Sequence, residues 1–435
     1  MLAAALLTAA PASADPVALR DAPRAHDVAL TGDEVVIART TARGGVRVIA
    51  RPRTGGAART LLAVAAPAPD LSPYVELSAA QGVVAAIVSY DLGDVERIEL
   101  YSGPPVGPLT LRRSVRPALG RWLPVSVDTD ANRVLLGEVR IGRRVEGRVR
   151  VLAPGAPAGP VAWEGPLFEA ALAGERLAFW GGRRGASRGG LFVIAPRTGA
   201  VEAFARMRPE EDVGEDDVDA APDGRAVAAV DGRLLTVAPG VPPARFGSGF
   251  SRPRFSGAGF VALHERPLDA RTPVILEGGS MRAIGSASGS LEILEADDRG
   301  AAWLANGCVL YAPRDSAPPA EPPAGPCPRA EVVLEEGDQV LRGRRLRVIV
   351  KCVAAPAAGC RGTALLGKGR YGRGAFALPA GARRRIEVGL TDRGIRHVRR
   401  RRERFHDVAI FDLSAKVRDG RAHGVRGVVV ARVRR

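Results

Sequence analysis

The sequence predicts an all-β protein, a seven-bladed β-propeller followed by an immunoglobulin-like β-sandwich. Short β runs recur in units with a period of about 45 residues, divided by Gly, Asp, Asn and Pro turns. No helix-period stretch of any length interrupts them. Beyond a Pro-rich segment, roughly seven further β runs match the ~100 residues of a sandwich. A single four-stranded sheet cannot bury both faces alone, whereas sheets stacked radially can.

The chain opens on Met1 to Ala14, an apolar run ending in Ala12-Ser13-Ala14 before Asp15-Pro16. Small residues at that spacing form the cleavage pattern of a secretory signal peptide, although a basic leading region is missing. No later stretch holds the ~20 apolar residues needed to span a bilayer. The expectation is a secreted or cell-envelope protein. Four cysteines fit an oxidising compartment, read as two disulfides, Cys352 with Cys360 and Cys308 with Cys327.

Residues 15–313 make the propeller. Unit one runs from Val28 through Glu34–Ala38 and Gly45–Ala50 to Leu62. Unit two runs from Val75 through Gly82–Val88 and Val95–Tyr101 to Arg112. Unit three runs from Val125 through Arg133–Val139 and Gly147–Leu152 to Trp163, and unit four from Glu169 through Arg176–Trp180 and Gly190–Ala195 to Phe204. The fifth, Asp219 to Gly240, is the clearest. Its Pro222-Asp223-Gly224 turn leads into a strand Ala226–Val230, then an Asp231-Gly232 turn and a strand Leu234–Ala238. The sixth is degenerate, from Arg254 through Gly259–Leu263 and Pro273–Glu277 to Ile284. The seventh shows only Leu291–Glu295, Gly300–Leu304 and Cys308–Tyr311, so Pro16–Leu19 is expected to supply its fourth strand. One miscounted unit would make the number six or eight.

The Ala221-Pro222-Asp223-Gly224-Arg225 turn before a small-residue strand resembles the Pro-Asp-Gly-Lys/Arg repeat of TolB-like, WD40-like propellers. Asp128 to Asn132 and Thr31 to Asp33 are looser equivalents. The resemblance covers about residues 15–313. It implies a propeller at or outside the cell envelope, in a family whose members often bind proteins or peptides. It implies no shared catalytic residues.

Residues 314–328 form a Pro-rich, semi-stiff linker. Residues 329–435 form the sandwich, with β runs at Ala330–Leu334, Arg345–Cys352, Cys360–Leu366, Ala375–Leu378, Arg385–Leu390, Asp407–Phe411 with Leu413–Val417, and Gly427–Val433. In Arg345-Leu-Arg-Val-Ile-Val, charge and apolar side chains alternate. This lobe resembles the sandwich appended to other exported actinobacterial proteins, without the central Trp and long-range Cys pair of antibody domains.

The net charge of +16 is concentrated in this tail, where 27 Lys/Arg face 10 Asp/Glu; the preceding residues hold 36 against 37. Lysine is confined to Lys351, Lys368 and Lys416, a mark of GC-rich coding that makes arginine abundance alone a weak signal. The densest cluster is Arg393, Arg396, Arg399, Arg400, Arg401, Arg402 and Arg404. It reads either as an exposed turn between strands or as a polyanion-binding anchor for wall polymer, acidic lipid or extracellular nucleic acid. Sequence-specific nucleic-acid recognition is not expected, because no recognition helix or interleaved aromatics accompany it.

Chemistry is sparse. Gly285-Ser-Ala-Ser-Gly289 misses the nucleophile elbow by one position, and His26, His264, His397, His406 and His423 are scattered. Asp128, Asp130 and Asn132 begin like a calcium loop, but Arg133 and Val139 stand where that loop needs Gly and Glu. Asp and Asn equally suit a hairpin turn. The acidic run Glu210 to Asp219 reads as a solvated inter-blade loop. No cofactor is expected. The function read from the sequence is a non-enzymatic binding or scaffold protein, its propeller engaging a protein or glycan. The alternative is a lactonase- or lyase-type propeller with a metal in its channel, which would need inward carboxylates from several blades.

Overall fold

A computed structural model describes residues 17–19, 25–41, 43–67, 72–91, 97–130, 133–141, 145–153, 155–182, 189–206, 213–266, 270–285, 291, 293–305, 308–316, 330–335, 338–341, 343–354, 359–402, 408–418, 420–423 and 427–433. The signal segment, most of the linker, Cys327, Asn132 and Arg404 lie outside them.

Among the described residues there are seven four-stranded antiparallel sheets before the linker. β1 (Val17–Leu19) is considered with the seventh sheet. The first holds β2 (Ala25–Thr31), β3 (Glu34–Thr40), β4 (Val46–Pro52) and β5 (Arg59–Val64). The second holds β6 (Ser72–Ala79), β7 (Val84–Asp91), β8 (Arg97–Gly103) and β9 (Thr110–Val115). The third has β10 (Trp122–Asp130), β11 (Arg133–Ile141), β12 (Val145–Leu152) and β13 (Val161–Gly165). In the fourth are β14 (Leu167–Ala173), β15 (Arg176–Gly182), β16 (Gly189–Ala195) and β17 (Ala200–Arg206). The fifth contains β18 (Val213–Ala220), β19 (Ala226–Val230), β20 (Arg233–Ala238) and β21 (Val241–Phe246). The sixth contains β22 (Phe250–Ser256), β23 (Gly259–Arg266), β24 (Ala270–Glu277) and β25 (Ser280–Ala283). The seventh joins β26 (Ile293–Asp297), β27 (Gly300–Ala305) and β28 (Cys308–Pro313) to β1, with Val17 opposite Tyr311 and Leu19 opposite Val309.

The first strands touch in a closed cycle: β2 meets β6, β6 meets β10, and so on through β14, β18, β22 and β26 back to β2. The fold is a β-propeller.

Period-two geometry explains the ring. Successive side chains of a strand point to opposite faces, and here each face meets a different neighbour. In β3, Val36 and Ala38 join a core with Val75, Leu77 and Val84 of the second sheet. Val35 and Ile37 join the opposite core with Leu19, Leu304 and Val309 of the seventh. The second strands are therefore apolar on both faces, as in Glu34-Val-Val-Ile-Ala38 and the fully buried Ala226–Val230. Outer strands such as β21 and β25 are largely exposed. In the fifth sheet Asp231 and Gly232 adopt φ of 47° and 72°, the left-handed pair of a tight hairpin turn.

Among the described residues the tail has nine strands in one hydrogen-bonded sheet rather than the seven expected. They are β29 (Ala330–Glu335), β30 (Asp338–Leu341), β31 (Arg345–Ala354), β32 (Cys360–Leu366), β33 (Gly372–Leu378), β34 (Arg383–Leu390), β35 (Val408–Val417), β36 (Gly420–His423) and β37 (Gly427–Val433). Their order is β30-β37-β35-β32-β33-β34-β31-β29-β36, with β29–β36 and β30–β37 parallel. The sequence reading missed β30 and β36 because four residues are too few to show alternation. β29 and β36 also contact β35, so the sheet turns back on itself around one core that includes Leu346, Val348, Phe376, Val388 and Phe411.

Among the described residues a helix, α1 (Asp392–Arg402), lies between β34 and β35 in the chain. This corrects the expectation of a turn there. Thr391 caps it, its Oγ1 accepting the Gly394 N–H at 3.1 Å, and Asp392 sits in the positive first turn. Val398 enters the core and His397 stacks on Tyr371 with ring centroids 4.6 Å apart. A Cβ on Gly394 would stand 2.1 Å from the Tyr371 carbonyl oxygen, so only glycine lets the helix lie this close.

Candidate functional site

The first strand of each propeller sheet is an edge, and an edge strand leaves backbone N–H groups without ladder partners. Here a carboxylate from the preceding sheet takes one. Asp27 accepts the Leu77 N–H at 2.6 Å, Glu76 the Val127 N–H at 2.8 Å and Asp128 the Leu172 N–H at 2.6 Å. Glu169 accepts the Val218 N–H at 3.0 Å, and Asp219 the Phe255 N–H at 2.6 Å. Five charge-assisted bonds thus stitch six consecutive sheets together. At the sixth the pattern inverts: Arg254 occupies the first strand, and its Nε donates to Glu295 of the seventh at 2.9 Å.

Arg254 is the charge centre of this axis. Burial pulls its pKa down, but Glu295, Asp219 and Glu169 outweigh that and hold the guanidinium firmly protonated. Burial raises Asp128, against the N–H groups of Leu172 and Thr129. Asp219 is pushed up to about 7, first by burial and then by the charges of Asp128 and Glu295, with Arg254 and the Phe255 N–H opposing. Asp128, Glu169, Asp219, Arg254 and Glu295 are all half-buried.

A carboxyl that titrates near 7 when folded and near 4 when unfolded holds its proton longer in the native state. Its contribution to stability is complete below pH ~4 and lost as pH rises through about 7. Asp219→Asn keeps an acceptor for Phe255 and removes the titration. The expected result is a flatter decline in urea midpoint between pH 5 and 8 than in the parent. Parallel declines would show that Asp219 is not the group responsible.

Two further polar clusters hold the ring. Between the seventh and first sheets, Arg53 clamps Asp297 through both guanidinium ends and donates to the Tyr311 hydroxyl at 3.1 Å, while Arg299 pairs with Asp33. Between the second and third sheets, the fully buried Glu138 receives Arg113, Arg148 at 2.6 Å and Arg150 at 2.9 Å. Burial would raise Glu138, yet Arg148 and Arg113 bring it below the ordinary carboxylate range. Arg148 also lies over the Trp122 ring, 4.0 Å from its centroid.

The residues singled out in the sequence separate. Asp128 is engaged by Leu172, Thr129 and Ser78, whereas Asp130 pairs with Arg133 across the hairpin. No group of three or more His, Cys, Asp or Glu side chains able to hold a metal ion occurs among the described residues. Glu215, Asp216, Asp217 and Asp219 belong to strand β18 rather than to a solvated loop, and Asp219 turns to the axis. Its alternate position points inward because the adjoining Val218 packs between the fourth and fifth sheets. Cys352 and Cys360 are bonded, and Cys308 also takes part in a disulfide. Of the arginine cluster, Arg393, Arg396 and Arg399 are exposed on α1; Arg400, Arg401 and Arg402 belong to the same helix.

The axial carboxylates are what the sequence reading missed. Each lies in the first β run of its unit, so aligning those runs would have exposed the recurrence. The signal is one acidic residue per unit, at offsets that vary with the strand bulges, as between Ala25 and Asp27 in β2.

No family model matches the sequence, and no curated protein matches it. Among solved structures, the chain is similar to the β-propeller domain of the trilobed protease from Pyrococcus furiosus. Identity is 10%, coverage is 68% of this chain and 93% of that one, and the TM-score is 0.45. It is also similar to the Pyrococcus horikoshii acylaminoacyl peptidase (8% identity, 75% and 57% coverage, TM-score 0.49). A third likeness is the WD40 domain of SCAP from fission yeast (8% identity, 67% and 85% coverage, TM-score 0.39). The chain thus spans little more than half of the whole peptidase. At these scores the likenesses carry no functional argument, and the propeller rests on the cycle of sheets itself.

Proposed function

We propose that this chain is a non-enzymatic binding protein of the cell exterior or envelope. In this reading a seven-bladed, TolB-like propeller offers its faces to a protein or glycan. An immunoglobulin-like basic tail holds the molecule at an anionic surface. The observation that carries it is the division of α1: Val398 and Gly394 are buried, while Arg393, Arg396 and Arg399 face solvent. Three turns of arginine anchored by an apolar face make a rigid cationic ridge. The Cys352–Cys360 disulfide supports export, since such bonds persist in oxidising compartments.

Retention of the full chain on heparin tests the anchoring half. Binding is expected at low salt, with elution at lower salt for Arg393→Ser/Arg396→Ser/Arg399→Ser, because polyanion binding releases counterions. No retention, or retention indifferent to salt, would remove this role.

The metal-dependent alternative gains one specific observation, the acidic residues on six of the seven first strands. Against it, five of those carboxylates already accept backbone N–H groups and the sixth pairs with Arg254. Metal analysis of protein purified without chelator decides between the readings, since stoichiometric calcium or zinc would favour the enzyme.

A further inference from the structure

The tail sheet has a second cationic surface, formed by alternation rather than by a run of arginines. On the strands β31, β34, β33, β32 and β35, one set of alternate residues enters the core: Leu346 and Val348, Val388 and Leu390, Phe376 and Leu378, Ala364 and Leu366, Leu413. The other set faces outward and is basic. Arg345, Arg347, Arg361, Arg373, Arg385 and Lys416 are all exposed. Register brings them together. Arg345 lies opposite Gly389, and Gly389 opposite Arg373; Arg347 lies opposite Glu387, and Arg385 opposite Ile349. Thr363 sits between Ala375 and Lys416, and Arg361 opposite Ala377. Two carboxylates with described side chains share this side of the sheet: Glu387 bridges Arg345 at 2.8 Å and Arg347 at 3.6 Å, and Glu335 of the neighbouring β29, opposite Ile349, pairs with Lys351 at 2.5 Å and Arg383 at 2.6 Å.

The residues between the cations are small. Gly389, Ala375, Ala377 and Thr363 leave the guanidinium groups standing above a smooth sheet. Measured along the curved sheet, five strands at ~4.8 Å spacing spread the charges over roughly 19 Å, and positions two apart on a strand add ~6.7 Å along the strand. α1 continues the same charge, because Arg344, next to Arg345, pairs with Asp392 at the start of the helix. A compact anion would meet only two or three of these groups. A linear polymer with an anion at every repeat can follow the curve of the sheet and meet them in turn.

We infer that this face is a docking surface for a linear, base-free phosphodiester polymer of the kind that makes cell walls anionic. The inference deepens the anchoring role proposed above and rests on it. Guanidinium forks suit the two free oxygens of each phosphodiester. Among the described residues this face carries no aromatic side chain on which bases could stack, which single-stranded nucleic acid uses for much of its affinity. Among the described residues it also presents no large exposed apolar side chain to insert into a bilayer, and stable membrane anchoring takes more than one signal.

The test uses the full chain and poly(glycerol phosphate) as probe. Arg345→Ser/Arg347→Ser/Arg373→Ser/Arg385→Ser is expected to weaken binding at least ~10-fold and to lower the slope of log K against log salt by about 3–4. The corresponding lysine variant keeps the charges and is expected to keep most of that slope. The α1 triple variant is expected to lose less than the sheet variant. Gel filtration and near-ultraviolet circular dichroism matching the parent establish that the variants fold. An unchanged affinity in the sheet variant overturns the inference, as does a larger loss in the α1 variant, which would leave anchoring to the helix alone. Tighter binding of oligo-dT or of phosphatidylglycerol vesicles than of the polymer also overturns it. If the parent binds none of the three probes, the anchoring role falls together with this surface.

Discussion

Arg254→Met is expected to lower the unfolding free energy of the propeller by about 3–5 kcal/mol, the cost of stripping a buried carboxylate cluster of its cation. Methionine keeps the unbranched stem of arginine as far as about Nε and lacks the guanidinium, so the loss is mainly electrostatic with a smaller part from the space left behind. Glu169, Asp219 and Glu295 would then face one another without the guanidinium that each now feels. The deficit is expected to shrink on acidification, because the carboxyls, already raised at Asp128 and Asp219, become neutral first. Adding Asp219→Asn to Arg254→Met is expected to recover part of the loss, since the two sites interact and their effects do not add. Urea unfolding at pH 5.5 and 8 measures all three. A loss below ~1 kcal/mol at pH 8, in the range of surface pairs, would mean that solvent screens the cluster.

Glu138→Gln is expected to cost a similar ~3–5 kcal/mol, for the opposite reason. Arg113, Arg148 and Arg150 converge on one fully buried carboxylate. The neutral amide keeps the shape, replaces the anion and leaves three guanidinium groups repelling one another between the second and third sheets. The wild-type contribution has its own pH signature. The folded carboxyl lies below its unfolded value, so its stabilisation is present above pH ~4.5 and lost as pH falls through the lower, folded value. Glu138→Gln therefore loses most near neutrality and least in acid. Equal unfolding curves for variant and parent at pH 7 would show that the arginines find other partners.

The two clusters differ in how legible they were. Glu138 follows Val134 to Gly137 in an apolar strand and reads as an outward alternate residue; nothing local marks it as buried. Its partners come from β9 and β12, and only the curvature that brings the second sheet against the third closes a cage of arginine around it. α1 is the reverse case. Thr391 as a cap, Asp392 in the first turn and Ile395 with Val398 three residues apart are local helix signals, hidden by the charge of the arginines around them.

The chain's own pattern determined the propeller's strands, its turns and the return of Val17–Leu19 to the last sheet. Those features follow from local turn chemistry and from apolar runs that must bury two faces. It determined as well that the basic excess lies in the tail. Only the tertiary structure decided that the acidic residues of separate units meet at an axis around Arg254, and that arginines from distant strands share one sheet face. Both depend on register and on which edge meets which, and a strand's alternation states that a side chain leaves the core without saying what it will face.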